Sequence, residues 1–299
     1  MCKRGNKLGE MKGIILAGGS GTRLFPLTKI VCKQLLPVYD KPMIYYPMAI
    51  LMEAGIKDIL LISTKKDIIK FKDLFGNGKN LGINLEYKIQ ENPNGIAESF
   101  LIGKEFIGND NVTLILGDNI FYSKNFNNIL KENLDVKFGG IVFGYKVNNP
   151  EQYGVLEFDK NGKVLSIEEK PQIPKSNYII PGLYIYDNSV IKKAQKLKPS
   201  YRNELEITDI SNLYLKEKKL FVKILDNNFV WFDTGTCNSL LEAENFIKIE
   251  QEKTGNYIGC IEEIAYKNGW ITKEKLIELA EKMLNTEYGK YLMKLARGN

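Results

Sequence analysis

The sequence predicts an α/β protein with a mainly parallel sheet flanked by helices, and three features of its pattern predict this fold class. Short apolar runs alternate with amphipathic segments from residue 12 to residue 118, which is typical of parallel strands joined by helical crossovers. A β-hairpin pattern follows over residues 153–169, and helical spacing dominates from residue 236 onward. We therefore expect a parallel core, an antiparallel insertion and a helical C-terminal section in one compact unit.

In the first half of the chain, each element is predicted from an apolar run and its boundaries. Residues 12–17 (KGIILA) form a short apolar run that ends in glycines, as a buried strand does. Residues 43–55 indicate a helix with Gly55 near its C-cap. The next segments alternate in the same way: strands are predicted at 56–63, 84–90 and 112–118, and helices at 67–76 and 96–106.

In the second half, residues 153–159 and 163–169 predict a hairpin, and the dipeptide Asn161-Gly162 suits a type I′ turn. A strand is expected around 178–186, followed by helices and by strands at 220–225 and 230–232. Amphipathic helices are predicted over 236–253 and from residue 261 to the end.

Composition excludes several classes of site. The 299 residues include 42 lysines and arginines against 36 aspartates and glutamates, a net charge of +6 with the two signs interspersed. Such a balance gives no case for a nucleic acid or a membrane as a partner. The chain has no histidine, which excludes Ser-His-Asp and Cys-His catalysis and any His-ligated metal. The chemistry must rest on carboxylates, ammonium and guanidinium groups and the backbone.

The four cysteines (Cys2, Cys32, Cys237 and Cys260) are far apart in the sequence. Since a chain of this length needs no disulfides, we expect free thiols in a reducing cytoplasm. Neither a signal peptide nor a membrane-spanning run is recognised. Residues 1–10 are predicted to be a flexible leader, and residues 11–299 a single domain with its core at 11–245 and the helical section at 246–299.

The segment LAGGSGTRLFPLTK, residues 16–29, carries the strongest functional pattern. It follows the first predicted strand, where a glycine-rich turn exposes backbone N–H groups that bind phosphates. The P-loop motif is absent, and Leu24 occupies the third glycine position of the dinucleotide fingerprint. Arg23 within the loop and Lys33 after it would supply two cations for a polyphosphate. The alternative is a tight turn without a ligand.

Two aspartates follow predicted strands that are far apart in the sequence. Asp118 ends the strand VTLIL, and Asp233 ends VWF before a helix that Thr236 would cap. Because ligands of open α/β sheets bind beyond the carboxyl ends of the strands, Asp118 should face the glycine-rich loop. A carboxylate that faces a polyphosphate requires a divalent cation, for which Mg²⁺ is the usual choice. Alone, each aspartate is also explained as a cap or turn residue.

The segment SIEEKP, residues 166–171, closes the predicted hairpin with two carboxylates and Lys170, or it is a solvated, charged strand end. Together with the glycine-rich loop, it indicates phosphoryl or nucleotidyl transfer, in which the protein positions the reactants and neutralises charge. The absence of histidine fits this chemistry, because a phosphate monoester is already largely dianionic at neutral pH and needs no base to become a nucleophile.

Several longer segments carry a family resemblance: KQLLPVYDKPMIYYP, LGDNIFY, YGVLEFDKNGKV, GLYIYD, ELEITDI, WFDTGT and EEIAYKNGWI. With these segments, the chain resembles bacterial glucose-1-phosphate thymidylyltransferases of the sugar nucleotidyltransferase superfamily from about residue 11 to residue 297. LGDNIFY and ELEITDI favour the thymidylyl branch over uridylyl or adenylyl relatives. The resemblance implies a Rossmann-like nucleotidyltransferase sheet and transfer of a thymidylyl group from dTTP to α-D-glucose 1-phosphate, giving dTDP-glucose and pyrophosphate.

The resemblance also implies roles for individual residues. Asp118 and Asp233 would hold the Mg²⁺ ion. The nucleotide would be bound by Gly18, Gly19, Thr22, Arg23, Lys33, Gln34, Gln90, Gly95 and Asp118, with Gln90 and Gly95 reading the thymine. The sugar phosphate would be bound by Asn119, Gly154, Glu169, Lys170 and the main chain at Ile180. The residues expected to carry catalysis are Arg23, Lys33, Asp118, Lys170 and Asp233.

The resemblance further implies a homotetramer that performs the first step of dTDP-L-rhamnose and other deoxysugar biosynthesis, and the absence of a signal peptide and of a membrane-spanning run predicts that it is cytoplasmic. A second nucleotide site would lie in the helical section near residues 260–270, where dTDP-rhamnose would inhibit. Three alternatives stay open: the same chemistry on UTP or on another sugar 1-phosphate, a non-catalytic regulatory homologue, and a nicotinamide oxidoreductase, against which the glycine spacing argues.

Overall fold

The structure, a computed structural model, describes residues 11–19, 21–134, 138–226 and 228–298. Its strands are β1 (Met11–Ala17), β2 (Pro37–Val38), β3 (Lys41–Pro42), β4 (Asp58–Ser63), β5 (Asn84–Ile89), β6 (Asn111–Leu116), β7 (Ile120–Tyr122), β8 (Gly140–Lys146), β9 (Gly154–Phe158), β10 (Val164–Glu169), β11 (Tyr178–Ile180), β12 (Leu183–Tyr186), β13 (Leu220–Ile224) and β14 (Val230–Phe232). Its α-helices are α1 (Tyr45–Glu53), α2 (Ile68–Phe75), α3 (Glu98–Ile102), α4 (Lys104–Ile107), α5 (Phe126–Leu134), α6 (Val190–Ala194), α7 (Ile207–Lys216), α8 (Cys237–Thr254), α9 (Ile261–Lys267), α10 (Lys273–Glu281) and α11 (Glu287–Arg297). The predicted leader at 1–10 lies outside the described residues.

Residue contacts divide the chain into two compact units. The first comprises Met1–Ile14, Pro93–Leu114 and Glu132–Asp226, and the second comprises Ile15–Asn92, Ile115–Lys131 and Asn227–Asn299. Strands β1 and β6 begin in the first unit and end in the second. The single domain over 11–299, with its core at 11–245 and its helical section at 246–299, stays a prediction.

In the second unit, a sheet with the strand order β6-β1-β4-β5 forms the centre. Strands β4 and β5 pair in parallel along their whole length, from Asp58 beside Asn84 to Ser63 beside Ile89. Residues 59–62 of β4 are fully buried, as expected for a parallel strand that is covered on both faces. The predicted fold class, a sheet with mostly parallel core strands flanked by helices, is confirmed.

The helical C-terminal section also belongs to the second unit. Helix α8 begins with a capping box between Thr236 and Ser239 and ends at Gly255, whose φ of 70° only glycine adopts easily. Apolar residues of α8 pack on the short β2–β3 hairpin in one buried cluster that includes Leu36, Val38, Met43, Leu240, Ala243 and Ile247. No helix among the described residues is both long and apolar enough to cross a membrane.

In the first unit, the strand order is β10-β9-β11-β8-β12-β6, and β13 pairs in parallel with β8. The predicted hairpin is confirmed, because β9 and β10 pair antiparallel with Gly154 opposite Glu169. The type I′ turn is wrong: of the central pair, Gly162 has a positive φ (79°) and Asn161 does not. Asp159 and Lys163 instead close a three-residue loop, with the Asp159 carboxylate accepting from the Asn161 and Lys163 N–H groups.

Two elements predicted as continuous are interrupted. The helix expected at 96–106 is divided into α3 and α4 at Gly103, which ends the first helix and begins the second; glycine is a weak helix former at such a position. The strand expected at 178–186 is divided into β11 and β12 at Pro181-Gly182. Pro181 has no N–H group for the ladder, so a strand cannot pair through it on both sides.

Candidate active site

The glycine-rich loop of the second unit leaves β1 at Ala17 and enters a 3₁₀ turn at Thr22–Leu24. Gly19 and Gly21 have φ values of 103° and 58°, in the left-handed region that favours glycine. The Thr28 hydroxyl donates to the Gly21 carbonyl oxygen at 2.7 Å, and this hydrogen bond holds the loop at Gly21. Thr22 and Arg23 remain exposed. The loop therefore offers solvent-facing backbone and one guanidinium, the combination that a phosphate chain needs.

The carboxyl end of β6 lies beside this loop. The Gly117 N–H donates to the Leu16 carbonyl oxygen at 2.9 Å, and a Cβ atom on Gly117 would lie 3.1 Å from that of Ala17. Glycine suits this position because a Cβ atom would require the two backbones to move apart by a few tenths of an ångström. Asp118 consequently leaves its strand next to the start of the glycine-rich loop, in the place that the strand-end argument predicts.

The Lys33 ammonium group contacts both aspartates, Asp118 through its carboxylate and Asp233 through its backbone carbonyl group. Lys33 Nζ donates to Asp118 Oδ2 at 2.7 Å and to the Asp233 carbonyl oxygen at 2.9 Å. The Lys33 side chain is 9% exposed and that of Asp118 27%, so the charges are partly shielded from water and attract each other more strongly than a surface pair. The Thr234 hydroxyl adds a bond of 2.7 Å to the Asp118 carbonyl oxygen. The structure thus brings together three of the five residues predicted to carry catalysis.

A two-stranded antiparallel ribbon, β7 with β14, produces this convergence. Phe232 stands opposite Ile120, so Asp233 directly follows one strand where Asp118 and Asn119 directly precede the other. Strand β7 is not among the strands predicted from the sequence, although the apolar triplet IFY after LGDN is a signal for a short strand.

Asn119 and Trp231 extend the polar contacts of the ribbon. The Asn119 amide donates to Asp118 Oδ1 at 2.9 Å, and its oxygen accepts from the Trp231 indole N–H at 2.7 Å. Asn119 is buried. Trp231, which sequence reasoning gave no role, therefore orients the amide that holds Asp118.

Arg23 lies close to Asp233, over Gly235. A Cβ atom on Gly235 would be 2.9 Å from Asp233 Oδ2 and 3.0 Å from Arg23 Nη2. The Gly235 N–H donates to Asp233 Oδ1 at 3.0 Å. Gly235 therefore leaves room for the guanidinium and the carboxylate to lie on the same side of the loop.

Gln34 and Gln90 lie against Gly18. Gln34 Nε2 donates to the Gly18 carbonyl oxygen at 3.2 Å, and a Cβ atom on Gly18 would be 3.1 Å from Gln90 Oε1. Both glutamines are buried. Three of the residues predicted to bind the nucleotide thus form one surface at the end of β1.

The donor set of the second unit fits a Mg²⁺ ion bound largely through its substrate. Carboxylate oxygens are hard ligands, and Mg²⁺ typically takes one or two of them together with phosphate oxygens and water. Asp118 Oδ1 and Oδ2 each accept one hydrogen bond in the structure, and each carboxylate oxygen keeps a further lone pair. Within the described residues, no three acidic or cysteine side chains converge as a closed metal cage. The Asp118 carboxylate can therefore still accept a metal ion, and a two-carboxylate site with Asp233 stays a prediction.

In the first unit, Gly154, Glu169 and Ile180 lie side by side on three neighbouring strands. Gly154 of β9 stands opposite both Glu169 of β10 and Ile180 of β11. A Cβ atom on Gly154 would be 2.7 Å from Thr208 Cγ2 and 3.4 Å from Glu169 Oε2, so any larger residue would displace its neighbours. These are three of the five residues predicted to bind the sugar phosphate; Lys170 follows at φ 45° with its side chain exposed.

Glu169 sits in an acidic cluster around one arginine. Burial and the neighbouring Glu206 raise the pKa of Glu169, while Lys170 and Arg202 act against that rise. The Arg202 guanidinium is 3.7 Å from Glu169 Oε1 and 3.5 Å from Glu206 Oε1, and it also pairs with Glu204. Arg202 is not among the site residues predicted from the sequence, although the segment ELEITDI, which begins two residues later, carries the family resemblance.

Gly95, the other predicted thymine reader, belongs to the first unit. Its φ is 105°, and a Cβ atom on it would be 2.4 Å from the Leu205 carbonyl oxygen. Backbone hydrogen bonds lie on both sides of Gly95. The Leu205 N–H donates to the Asn94 carbonyl oxygen at 2.6 Å, and the Ala97 N–H donates to the Leu205 carbonyl oxygen at 3.2 Å. The close approach of two backbone segments makes glycine obligatory at this position.

The chain belongs to the nucleotidyl transferase family, whose model matches residues 12–250. Among curated proteins it is similar to a glucose-1-phosphate thymidylyltransferase of Neisseria meningitidis serogroup A, with 54% identity over 96% of this chain and 100% of the relative. A glucose-1-phosphate thymidylyltransferase of Mycobacterium tuberculosis is 50% identical over 97% of this chain and 100% of the relative.

Solved structures agree with this assignment. A putative glucose-1-phosphate thymidylyltransferase from Bacillus anthracis, in complex with a sucrose, superposes with a TM-score of 0.74 at 41% identity, covering 79% of this chain and 95% of that one. A UDP-glucose pyrophosphorylase complexed with UDP-glucose gives a TM-score of 0.70 at 25% identity, covering 80% and 99%. Within the nucleotidyl transferases, the chain is thus placed among the glucose-1-phosphate thymidylyltransferases, and it is an enzyme.

Proposed function

We propose that this protein transfers the thymidylyl group of dTTP to α-D-glucose 1-phosphate in a Mg²⁺-dependent reaction, giving dTDP-glucose and pyrophosphate. The observation that carries the proposal is the meeting of Lys33, Asp118 and Asp233 beside the glycine-rich loop, in a chain about half identical to glucose-1-phosphate thymidylyltransferases over their full length. A phosphate oxygen of the sugar phosphate attacks the α-phosphorus of dTTP. The bond from that phosphorus to the pyrophosphate breaks as the new bond forms.

In the second unit, the residues would bind and polarise the nucleotide. The backbone of Gly18 and Gly19 would bind the phosphates, and Arg23 would neutralise charge that develops on the departing pyrophosphate. Lys33 would orient the Asp118 carboxylate, to which it donates at 2.7 Å. A bound Mg²⁺ ion would supply charge neutralisation to the phosphate oxygens, held by Asp118 and Asp233.

In the first unit, the residues would bind the sugar phosphate. Lys170 would pair with its phosphate, and Glu169 would accept a hydrogen bond from a sugar hydroxyl. The absence of a side chain at Gly154 leaves room next to Glu169. Hydrogen bonds from a substrate hydroxyl to such groups give strong selectivity, because an analogue that lacks the hydroxyl leaves the carboxylate unpaired.

We further propose a cytoplasmic homotetramer that opens the route to dTDP-L-rhamnose and related deoxysugars, with dTDP-rhamnose as feedback inhibitor. A cavity in the second unit, lined by Tyr257, Cys260, Glu263 and Lys267 among others, supports a regulatory site near the predicted segment 260–270. Sedimentation of the purified protein and inhibition by added dTDP-rhamnose test the two proposals separately.

The deciding experiment measures pyrophosphate release from glucose 1-phosphate with dTTP, UTP, ATP, CTP or GTP, with Mg²⁺ and with excess chelator. Release that is fastest with dTTP and abolished by the chelator supports the proposal. The similarity to a UDP-glucose pyrophosphorylase makes UTP the second candidate, because one methyl group on a pyrimidine changes binding by only about 1–3 kcal/mol. Release fastest with UTP would establish that alternative, and no release with any nucleotide would point to another sugar phosphate or to a regulatory homologue.

A further inference from the structure

Lys41 of β3 is a buried lysine that the proposed reaction does not use. Its side chain is 3% exposed, and its Nζ atom lies 5.1, 5.6 and 5.8 Å from the ring centres of Tyr46, Tyr257 and Tyr288. Burial lowers the pKa of Lys41, and the neighbouring Asp40 counteracts that shift. Lysine is almost never fully buried unless it is paired. The contacts of its ammonium group therefore indicate what the burial achieves.

Asp40, Lys41 and Gln251 close a ring of hydrogen bonds. Lys41 Nζ donates to Asp40 Oδ1 at 2.5 Å and to Gln251 Oε1 at 3.3 Å, and Gln251 Nε2 donates to Asp40 Oδ2 at 3.0 Å. Gln251 lies in the last turn of α8 and is itself buried. The ring consequently joins the tip of the β2–β3 hairpin to the C-terminal end of that helix.

The hairpin is continuous with the turn that carries Lys33. Three backbone bonds of 3.0 Å connect the two: Leu36 N–H to the Lys33 oxygen, Met43 N–H to the Leu36 oxygen, and Ile44 N–H to the Gln34 oxygen. The hairpin turns at Tyr39 with a φ of 62°, which costs a non-glycine residue about 1 kcal/mol and persists only where the surroundings hold it. Movement of the hairpin would therefore move the Lys33 turn.

The N-terminal end of α8 is also connected to Lys33. The helix begins at Cys237, directly after the segment 233–236, and Lys33 Nζ contacts the Asp233 carbonyl oxygen. One polar contact thus joins the hairpin to α8, at Lys41 and Gln251, and a second joins the segments that precede them, at Lys33 and Asp233. Between these joints they pack through apolar side chains, which resist separation but allow sliding more readily than directional bonds do.

We infer that Lys41 is a positioning residue: its ammonium group, enclosed by three tyrosines, fixes the hairpin to α8 and so holds Lys33 against Asp118 and Asp233. The catalytic consequence rests on the proposed function, whereas the structural consequence does not. Lys41 acts through Lys33 and does not contact the aspartates.

The test compares Lys41→Met, Gln251→Met and the double variant with Lys57→Met as the control. Methionine keeps the length and apolar volume of the lysine chain, and an exposed lysine, Lys57, also lies over an aromatic ring, 5.0 Å from the centre of Trp270. We expect kcat to fall about tenfold in Lys41→Met with a small change in KM, because misplacement of a catalytic group acts on the transition state. Gln251→Met should lower kcat at least as far, because it opens the same ring and also removes the acceptor of the Ile258 N–H group, which lies 2.8 Å from Gln251 Oε1. The double variant should be no worse than Gln251→Met, since Lys41→Met opens only the ring that is already open.

Amide hydrogen exchange provides a readout that needs no activity. The N–H groups of Leu36, Met43 and Ile44 should exchange about tenfold faster in Lys41→Met and in Gln251→Met, and at the original rate in Lys57→Met. If the unaltered protein transfers no nucleotide, the proposed function fails and exchange alone decides the inference. Unchanged exchange at these three amides, exchange raised uniformly over the chain, or an unchanged kcat in an active, folded Lys41→Met enzyme would overturn the inference.

Discussion

Replacing Gly235 by alanine should separate activity from stability. The new Cβ atom would lie 2.9 Å from Asp233 Oδ2 and 3.0 and 3.1 Å from the two terminal nitrogens of Arg23. Ordinary contacts of a methyl group begin near 3.5 Å, so the carboxylate and the guanidinium must each withdraw by roughly half an ångström. The backbone at this position does not have a positive φ, so alanine fits without conformational strain.

Stability should stay nearly constant while activity falls. Alanine in a compatible backbone stabilises a protein by about 0.4–1 kcal/mol through the unfolded chain, which should offset the small cost of moving two side chains and leave Tm within about 2 °C. A displacement of about 1 Å at reacting groups costs up to about a hundredfold in rate, so withdrawal by roughly half that distance should lower kcat about tenfold. Pyrophosphate release and thermal unfolding measure the two quantities.

Asn238→Ala, an exposed position in the first turn of α8, is the matched control and should change neither quantity. A Gly235→Ala enzyme with the original kcat would refute the placement of Arg23 and Asp233 around this glycine. A large fall in Tm would equally contradict the reasoning, because the loss of activity would then follow from misfolding.

Three further substitutions test the metal site, a close backbone contact and a buried carboxyl group. Asp118→Asn should abolish most turnover with Mg²⁺ while Tm stays within a few degrees, since the neutral amide keeps the shape but loses the charge; near-normal turnover would exclude Asp118 as a metal ligand. Gly95→Ala should destabilise by several times the roughly 1–2 kcal/mol expected for Gly162→Ala, because a Cβ atom meets the Leu205 oxygen at 2.4 Å at the first position and nothing within 4 Å at the second. Equal losses of Tm would show that only the positive φ matters. Glu53→Gln should flatten the pH dependence of stability. Burial raises the pKa of Glu53 to about 7 from 4.5, so the folded state binds its proton more tightly, and the contribution of this group to stability falls as pH rises from about 4.5 to about 7. Unfolding midpoints at pH 5 and pH 8 should therefore differ less in the variant, and an unchanged difference would contradict the assignment.

The parts of the site that could be predicted from sequence are those defined by local chemistry. The glycine-rich loop follows β1 because Gly18, Gly19 and Gly21 stand where an apolar run ends, and this pattern is visible in the letters alone. The expectation that Asp118 and Asp233 converge rested on a charge argument, namely that a carboxylate facing phosphates needs a cation. The structure links Asp118 to the Asp233 carbonyl oxygen through Lys33, and the shared cation stays a prediction.

The contacts that required long-range information could not be predicted in this way. Nothing local in the sequence shows that β7 pairs with β14 or that Lys33 donates to Asp118, since both depend on which distant segments become neighbours. The same holds for Arg202, whose role beside Glu169 emerges only once α7 and the β9–β10 hairpin are packed. The predicted helix is divided at Gly103 and the predicted strand at Pro181. In both cases the residue that interrupts the element is visible in the sequence, but the prediction followed the longer apolar pattern around it.

The β7–β14 ribbon has a consequence for how this site can vary. Its pairing uses backbone groups, so Ile120 and Phe232, which pack in the buried cluster with α8, can be exchanged for apolar residues of similar volume without shifting the strand register. The number of residues between each aspartate and its strand cannot be changed in the same way. One residue inserted between Asp118 and Ile120 would shift the register by one and turn the carboxylate toward the opposite face. The site therefore tolerates substitution in the ribbon far better than insertion or deletion, and the spacing of each aspartate from its strand is the quantity that related chains must keep.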